Sequence, residues 1–469
     1  MSEQSGLCCR DVLTGRLIGR LRDSPAASNG DAGRLRRLEV EIDDVSLLDW
    51  LAAQDSGVKM YWADRADSFA AAGAGAADIV TDDSHGCLAG ALASIDGSIA
   101  AANASVRYYG GIAFDPDNAC GEYWPRYGRF CFLVPQFELR RQDGKTTFAC
   151  NIRCESGETL ESIEERLSGL TAKLTFPDGR AQSSDEPARP AISSRLDVPD
   201  KTAWCEMVSK VIESLPERRI DKIVLARKSI LEMSNAVDPI SLLAAIRKNS
   251  VNTYDFCFQS NDNDAFIGCS PECLYSRDAG DIYSEAIAGT VPTGDTDAER
   301  QYHRGKLAAS AKERQEHDYV FDSVRSDLGG ICRRVDVIEA RDILSLSYVQ
   351  HFRSRFAGVL KDGVGTADII EALHPTAAVN GSPSQAALEQ IRTQELFARG
   401  WYAGPVGWIG PDASEFAVGI RSGRILNNEI SLFAGAGIVR ASEAELEWNE
   451  TEHKLSLFLD VINHHKHES

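Results

Sequence analysis

253-TYDFCFQSNDNDAFIGCSPECLYSRDAGDIYSEAIAG-289 reads as three successive strands, TYDFCFQS, AFIGCSPECLYSR and DIYSEAIAG, separated by the short polar stretches NDND and DAG. Connections this short join antiparallel neighbours, whereas parallel strands need a long crossover. Hairpins of this kind, mixed with helices, argue for an α+β fold of large antiparallel or mixed sheets faced by helices, and against a doubly wound parallel fold.

Upstream, DKIVLARKSILEM is a strand between helices expected at about 202–214 and 238–248. Downstream, a helix is expected over 297–327. The strands VQHFRSRFAGVL, VGWIG, EFAVGIRSGRILNN and EISLFAGAGIVR then surround a helix near 385–399. The polar, proline-bearing 180-RAQSSDEPARPAISSR-195 is the linker candidate, dividing an N-terminal half, 37–190, from a core, 200–465, with the fold expected to be one integrated domain. In the N-terminal half, 38–42 and VKMYWADR are short strands, close helix packing accounts for 70-AAAGAGAADIV-80, and 157–173 is helical. GRFCFLVPQFELRRQDGKTTFACNI is a pair of strands turning at Asp143-Gly144. Residues 1–36 show little periodicity, and 24-SPAASNGDAG-33 reads as loop or disorder.

Two helical stretches carry acids at matching spacing. In 310-SAKERQEHDYV-320, Glu313 and Glu316 are three apart and share a helix face; in 446-LEWNETEHK-454, Glu447 and Glu450 repeat the device, with Lys454 one turn later. Either each pair is a solvated face tied to Lys312 or Arg314, or the two helices meet and four carboxylates bracket a hard cation, for which Mg²⁺ with an anionic substrate is the natural occupant.

In the strand DKIVLAR, Lys222 shares a face with Val224 and Ala226. It either snorkels from the strand end or is held desolvated, as a base requires. Glu272 lies between Cys269 and Cys273 in an apolar run after Pro271. It is either a loop cap or a carboxyl kept protonated for acid catalysis. Gly435 and Gly437 offer bare backbone to an anion or mark a bulge, Arg421 clamps a carboxylate or ends a strand in water, and His351 is a structural or a substrate-binding histidine.

With 43% apolar and 26% charged residues the chain is of globular composition, and a net charge of −20 without a basic stripe argues against nucleic acid. No apolar run is long enough to span a bilayer, and the start MSEQSGLCCRDV lacks signal-peptide order, so a cytoplasmic protein without a membrane partner is expected. The 12 cysteines are scattered, and Cys150 and Cys154 have no second pair to complete a zinc site. Phosphate-loop, dinucleotide and serine-hydrolase motifs are missing from the sequence.

KIVLAR, GCSPECL, AIAGT, AKERQEH, LHPTAAVNGSP, YAGPVGW, IRSGR, AGAGIV and EWNETEHK follow one another from about Asp221 to Lys454. This ordered series resembles the chorismate-utilising enzymes, and the earlier half is similar to the isochorismate synthases of menaquinone biosynthesis. The resemblance implies the chorismate-binding, anthranilate synthase component I-like fold and a Mg²⁺-dependent conversion of chorismate to isochorismate. It implies that Lys222 is the base activating water at C2 and Glu272 the acid at the C4 hydroxyl. Glu316 and Glu450 match the Mg²⁺ ligands, and Glu313 and Glu447 the acids flanking them. Gly289, Tyr402, Arg421, Gly435, Gly437 and Lys454 match positions contacting substrate carboxylates, and His351 the pocket-lining histidine. Because Lys222 is present and Ala288 is not lysine, water rather than ammonia is the expected nucleophile, with no obligatory glutaminase subunit, in a monomer or homodimer. Salicylate synthase, an ammonia-using synthase and an inactive cation-binding scaffold are the alternatives. Ala377 and Asn380 depart from the usual proline and glycine of that loop, which bears on its path.

Overall fold

The computed structural model describes residues 10–23, 33–102, 105–118, 123–176 and 191–464. Among these, 19 strands are joined by antiparallel pairings into one continuous network, as the opening hairpins require. One run of strands passes from Leu35–Ile42 through Lys145–Arg153, Phe130–Gln142, Phe69–Thr81, Lys59–Ala63, Tyr254–Asn261, Asp264–Ser270, Ser422–Leu426, Glu429–Ile438 and Lys222–Met233 to Ile192–Val198. A second run leaves Phe130–Gln142 through Tyr108–Ile112, Pro405–Ile409, Ala413–Val418, Cys273–Asp278, Asp281–Pro292 and Val349–Leu360 to Cys332–Ser345. Both runs draw strands from both halves of the sequence.

The middle of the first run is buried on both faces, and strand alternation sorts its side chains. Phe256, Phe258 and Phe266 enter a core shared with Tyr275, Ile282 and Phe416 of the second run. Cys257, Ala265 and Ile267 enter another core, shared with the helical residues Leu17, Trp50, Leu243 and Phe458. Each fully buried aromatic contributes roughly 1.5–3 kcal/mol.

Two places where the chain passes between the runs create the site. Asp264–Ser270 belongs to the first run and Cys273–Asp278 to the second, so Pro271-Glu272 is a crossing. Ala413–Val418 and Ser422–Leu426 make the reverse crossing through Gly419, Ile420 and Arg421. The crossings lie side by side, with Val418 N–H donating to Glu272 O at 3.0 Å and Cys269 N–H to Arg421 O at 3.0 Å.

Several expectations are corrected. Arg10–Asp23 is a helix, packed through Leu13, Leu17 and Leu21 at four-residue spacing, although Gly15 and Gly19 weaken the local signal. The stretch 70–80 lies in the strand Phe69–Thr81 rather than packing as a helix: a Cβ on Gly73 would stand 2.5 Å from Pro135 Cβ and 2.8 Å from Met60 Sδ, so crowding between strands selects the small residues. The long helix over 297–327 is two helices, Asp297–Ala309 and Ala311–Ile331, because the Ser310 side chain accepts the Glu313 N–H at 3.2 Å and caps the second. Most of the linker candidate and most of 24–33 lie outside the described residues; from Ile192 the linker candidate becomes strand Ile192–Val198, paired with Lys222–Met233.

Candidate active site

Lys222 opens its strand with no exposed surface, so it does not snorkel. Its Nζ stands 3.2 Å from Glu316 Oε1, with angles that make no hydrogen bond. Glu316 comes from helix Ala311–Ile331, which packs on strand Asp281–Pro292. Gly437, with no side chain, makes room for this pair: a Cβ there would lie 2.2 Å from Glu316 Oε1 and 2.9 Å from Lys222 Cε. The loop whose path was in question is fastened to the same strand. Val224 N–H donates to Asn380 O at 2.8 Å, Gly381 and Ser382 pair with Ile223 and Lys222, and the Asn380 side chain ties back to Ser384.

Glu272 is 3% exposed, and burial pushes its carboxyl up to about 8, against the pull of Lys222. Its own N–H donates to Ser270 Oγ at 3.2 Å, and among the described residues its carboxyl caps no loop N–H. A group that stays protonated through neutral pH can donate a proton to a leaving hydroxyl.

Opposite charges gather around the same cavity. Arg421 is half-buried, adopts φ +50°, and donates from Nη2 to His351 Nε2 at 3.3 Å and from Nη1 to Lys454 O at 3.3 Å. Because His351 Nε2 accepts, its Nδ1 carries the hydrogen and faces Gly289 O at 3.2 Å. Burial, with Arg421 and Lys454 nearby, holds His351 well below its usual range, so it is neutral. Burial also brings Arg421 down to about 10 and lifts Tyr402 to about 12, leaving the first a cation and the second a hydroxyl donor at neutral pH. Tyr402 stacks on Phe433 at 5.1 Å. Gly289, φ +75°, forms a bulge against the acidic helix; a Cβ would meet Glu313 O at 2.9 Å, and the next N–H, from Thr290, donates to Glu313 Oε2 at 2.8 Å.

Thus Glu272, Gly289, Glu316, His351, Tyr402, Arg421, Gly435, Gly437 and Lys454 line one cavity of about 70 Å³. Lys222 stands behind Glu316, and Glu313, Glu447 and Glu450 complete the acid group. A larger hollow of about 280 Å³ beside Arg392, Glu395 and Arg399 is lined by ion pairs closed on themselves, Arg392 with Asp115 and Arg399 with Glu395.

The four acids interact, but they do not converge on one point. Among the described residues no three His, Cys, Asp or Glu side chains are placed to hold an ion. Lysines stand between them instead: Lys312 Nζ is 2.7 Å from Glu447 Oε1 and 3.7 Å from Glu313 Oε1, and Lys454 Nζ is 2.6 Å from Glu450 Oε1. Burial and then Glu316 push Glu313 up to about 7, and burial and then Glu450 do the same to Glu447. Burial also acts to raise Glu450, but Lys454, Lys312 and Arg421 together outweigh it and leave that carboxyl below the usual range. Glu447 Oε2 is buried with no hydrogen-bond partner. An all-oxygen donor set, self-repelling and with one orphaned oxygen, fits a hard divalent cation that would take over the work of the lysines.

Sequence reading missed the bridging role of Lys312, treating it as a surface pair on its own helix. The signal was present in the charge balance, since four clustered acids need more cations than Lys454 alone supplies. Ile420, Phe433, Ala378 and Val379 of the lining also went unread, because apolar residues at strand ends and in loops carry no chemical signature.

The chain matches the family model described as chorismate binding enzyme over residues 23–463. It is 32% identical over 360 residues to the chloroplastic isochorismate synthase of Catharanthus roseus, a match covering 76% of this chain and 62% of that protein. It is 31% identical over 425 residues to isochorismate synthase MenF of Escherichia coli, covering 88% of this chain and 89% of that one. The solved structure of the menaquinone-specific isochorismate synthase MenF from Escherichia coli superposes with a TM-score of 0.82, at 29% identity over 96% of this chain and 99% of that one. Anthranilate synthase component I from Streptococcus pneumoniae shares the fold, with a TM-score of 0.62 at 22% identity over 75% of this chain and 80% of that one. The expected α+β chorismate-binding architecture is therefore the one observed, and the chain belongs to the chorismate-binding enzyme family.

Proposed function

We propose that the chain is an isochorismate synthase that interconverts chorismate and isochorismate with Mg²⁺, acting in the cytoplasm for menaquinone synthesis without a glutaminase subunit. The observation that carries this reading is one cavity lined by Glu272, a carboxyl that burial keeps protonated at neutral pH, and by Glu316, behind which the fully buried amine of Lys222 stands at 3.2 Å. Lys222 takes a proton from the water that adds at C2, while Glu272 gives its proton to the C4 hydroxyl, which leaves as water as the ring double bonds shift. One water enters and one leaves, so the product is an isomer, and return of the proton from Lys222 to Glu272 resets the site. Arg421, Lys454, Tyr402 and the glycine backbone hold the two substrate carboxylates. Mg²⁺ held by Glu316 and Glu450, with Glu313 and Glu447 flanking, would supply neutralising charge at the ring carboxylate. The similarity to MenF, which extends over nearly the whole chain, supports the menaquinone assignment.

The test incubates chorismate and Mg²⁺ with wild type, Lys222→Ala and Glu272→Gln, following isochorismate, salicylate and pyruvate together. Reversible formation of isochorismate alone, lost in both variants, is the expected result. Pyruvate release would replace the reading by a salicylate synthase, full activity of Lys222→Ala would favour an ammonia-using enzyme, and Mg²⁺ binding without turnover an inactive scaffold.

A further inference from the structure

Arg227 is a fully buried cation that the chemistry above does not use. It lies on the strand that begins with Lys222, and its guanidinium grips helix Ala444–His464 from one side. Nε donates to Thr451 Oγ1 at 2.7 Å, Nη2 donates to Glu452 Oε1, and the guanidinium carbon stands 3.9 Å from the centre of the Trp448 ring. Nη1 anchors the group on the strand side, donating to Asp197 Oδ1 at 2.8 Å and Ser229 Oγ at 3.0 Å.

We propose that Arg227 is a positioning residue that sets the rotation of this helix on the Lys222 strand, and with it the placement of Glu447, Glu450 and Lys454; the inference rests on the magnesium reading above. Trp448, Thr451 and Glu452 form one face, and Glu447, Glu450 and Lys454 lie roughly a third of a turn around the helix from it. Side chains reach ~5–6 Å from the helix axis, so a rotation of about 20° swings a carboxylate by about 2 Å, comparable with a whole Mg–O bond. A flexible cation would not hold that angle. A planar fork bonded to two successive helix residues and stacked on a third does. Arg195 reaches the same Asp197 and Glu452 from the exposed side, and supplies an internal comparison.

The test titrates MgCl₂ calorimetrically into the full chain, with turnover as a second readout, for wild type, Arg227→Lys, Thr451→Val and Arg195→Gln. Arg227→Lys keeps the charge and loses the fork; Thr451→Val removes the helix acceptor without changing shape and decides the matter if Arg227→Lys does not fold. Both are expected to weaken Mg²⁺ binding about tenfold or more, the range typical of groups that orient metal ligands, while Arg195→Gln changes it less than twofold. Wild-type Mg²⁺ affinity in a folded Thr451→Val and Arg227→Lys would overturn the proposal with the magnesium reading intact. A wild type that binds no Mg²⁺ would overturn both.

Discussion

Glutamine in place of Glu272 is expected to produce a protein that is inactive yet more stable than the wild type at neutral pH. Burial holds the Glu272 carboxyl at about 8 against an ordinary 4.5. Its folded-state value lies above the unfolded one, so between those pH values the folded chain keeps a proton that the unfolded chain releases. Wild-type stability therefore falls as pH rises through the window and levels off above about pH 8. At about 1.4 kcal/mol per pH unit travelled, the loss by pH 7 is about 3 kcal/mol. Glutamine keeps the shape of the protonated acid and has no proton to lose. A chain this long gains about 1 kcal/mol/K in unfolding entropy, so the difference corresponds to a rise in Tm of about 3 °C at pH 7. Thermal denaturation followed by circular dichroism at pH 5, 6, 7 and 8 measures it. The Tm advantage of Glu272→Gln should be small at pH 5 and grow toward pH 8. An offset that stays constant over that range would refute the reasoning, since it would mean that Glu272 does not hold an extra proton in the folded state.

Three further outcomes are expected. The rate of isochorismate formation should fall about tenfold per unit above pH 8, where the donor form of Glu272 disappears, and a pH–rate profile that is flat to pH 9 would contradict its role. Gly437→Ala should fold but lose at least 10²-fold in kcat, because the new methyl lies within 2.2 Å of Glu316 Oε1 and displaces the Glu316–Lys222 pair; steady-state kinetics on a sample with wild-type circular dichroism would check this. Removing Mg²⁺ with EDTA should abolish turnover and lower Tm, and Glu316→Gln should raise the Mg²⁺ concentration for half-maximal rate, so an unchanged Mg²⁺ requirement in that variant would count against Glu316 as a ligand.

Local patterns were legible in the sequence wherever the signal is local. Strand Val349–Leu360 has the bounds its residues suggest, and the turn at Asp143-Gly144 has both residues at positive φ. The carboxylate pairs were legible as pairs because three-residue spacing on a helix is itself the geometry. What remained hidden depends on partners far away in the chain. AFIGCSPECLYSR reads as one strand, yet at Pro271 the chain leaves the neighbours Tyr254–Asn261 and Ser422–Leu426 and takes Ala413–Val418 and Asp281–Pro292. That change of neighbours is what places Glu272 between the two runs. Arg227 looks like an ordinary alternating residue of DKIVLAR until helix Ala444–His464 arrives above it, and Lys312 looks like a partner for its own helix until it reaches Glu447.

The most direct test of the central account is the fate of solvent oxygen. Chorismate and Mg²⁺ with the wild-type chain in H₂¹⁸O should yield isochorismate carrying one ¹⁸O, at the C2 hydroxyl, with the C4 oxygen released to solvent, and neither Lys222→Ala nor Glu272→Gln should form it. Isochorismate without the label would contradict water addition at C2 as the reaction that Lys222 and Glu272 carry out.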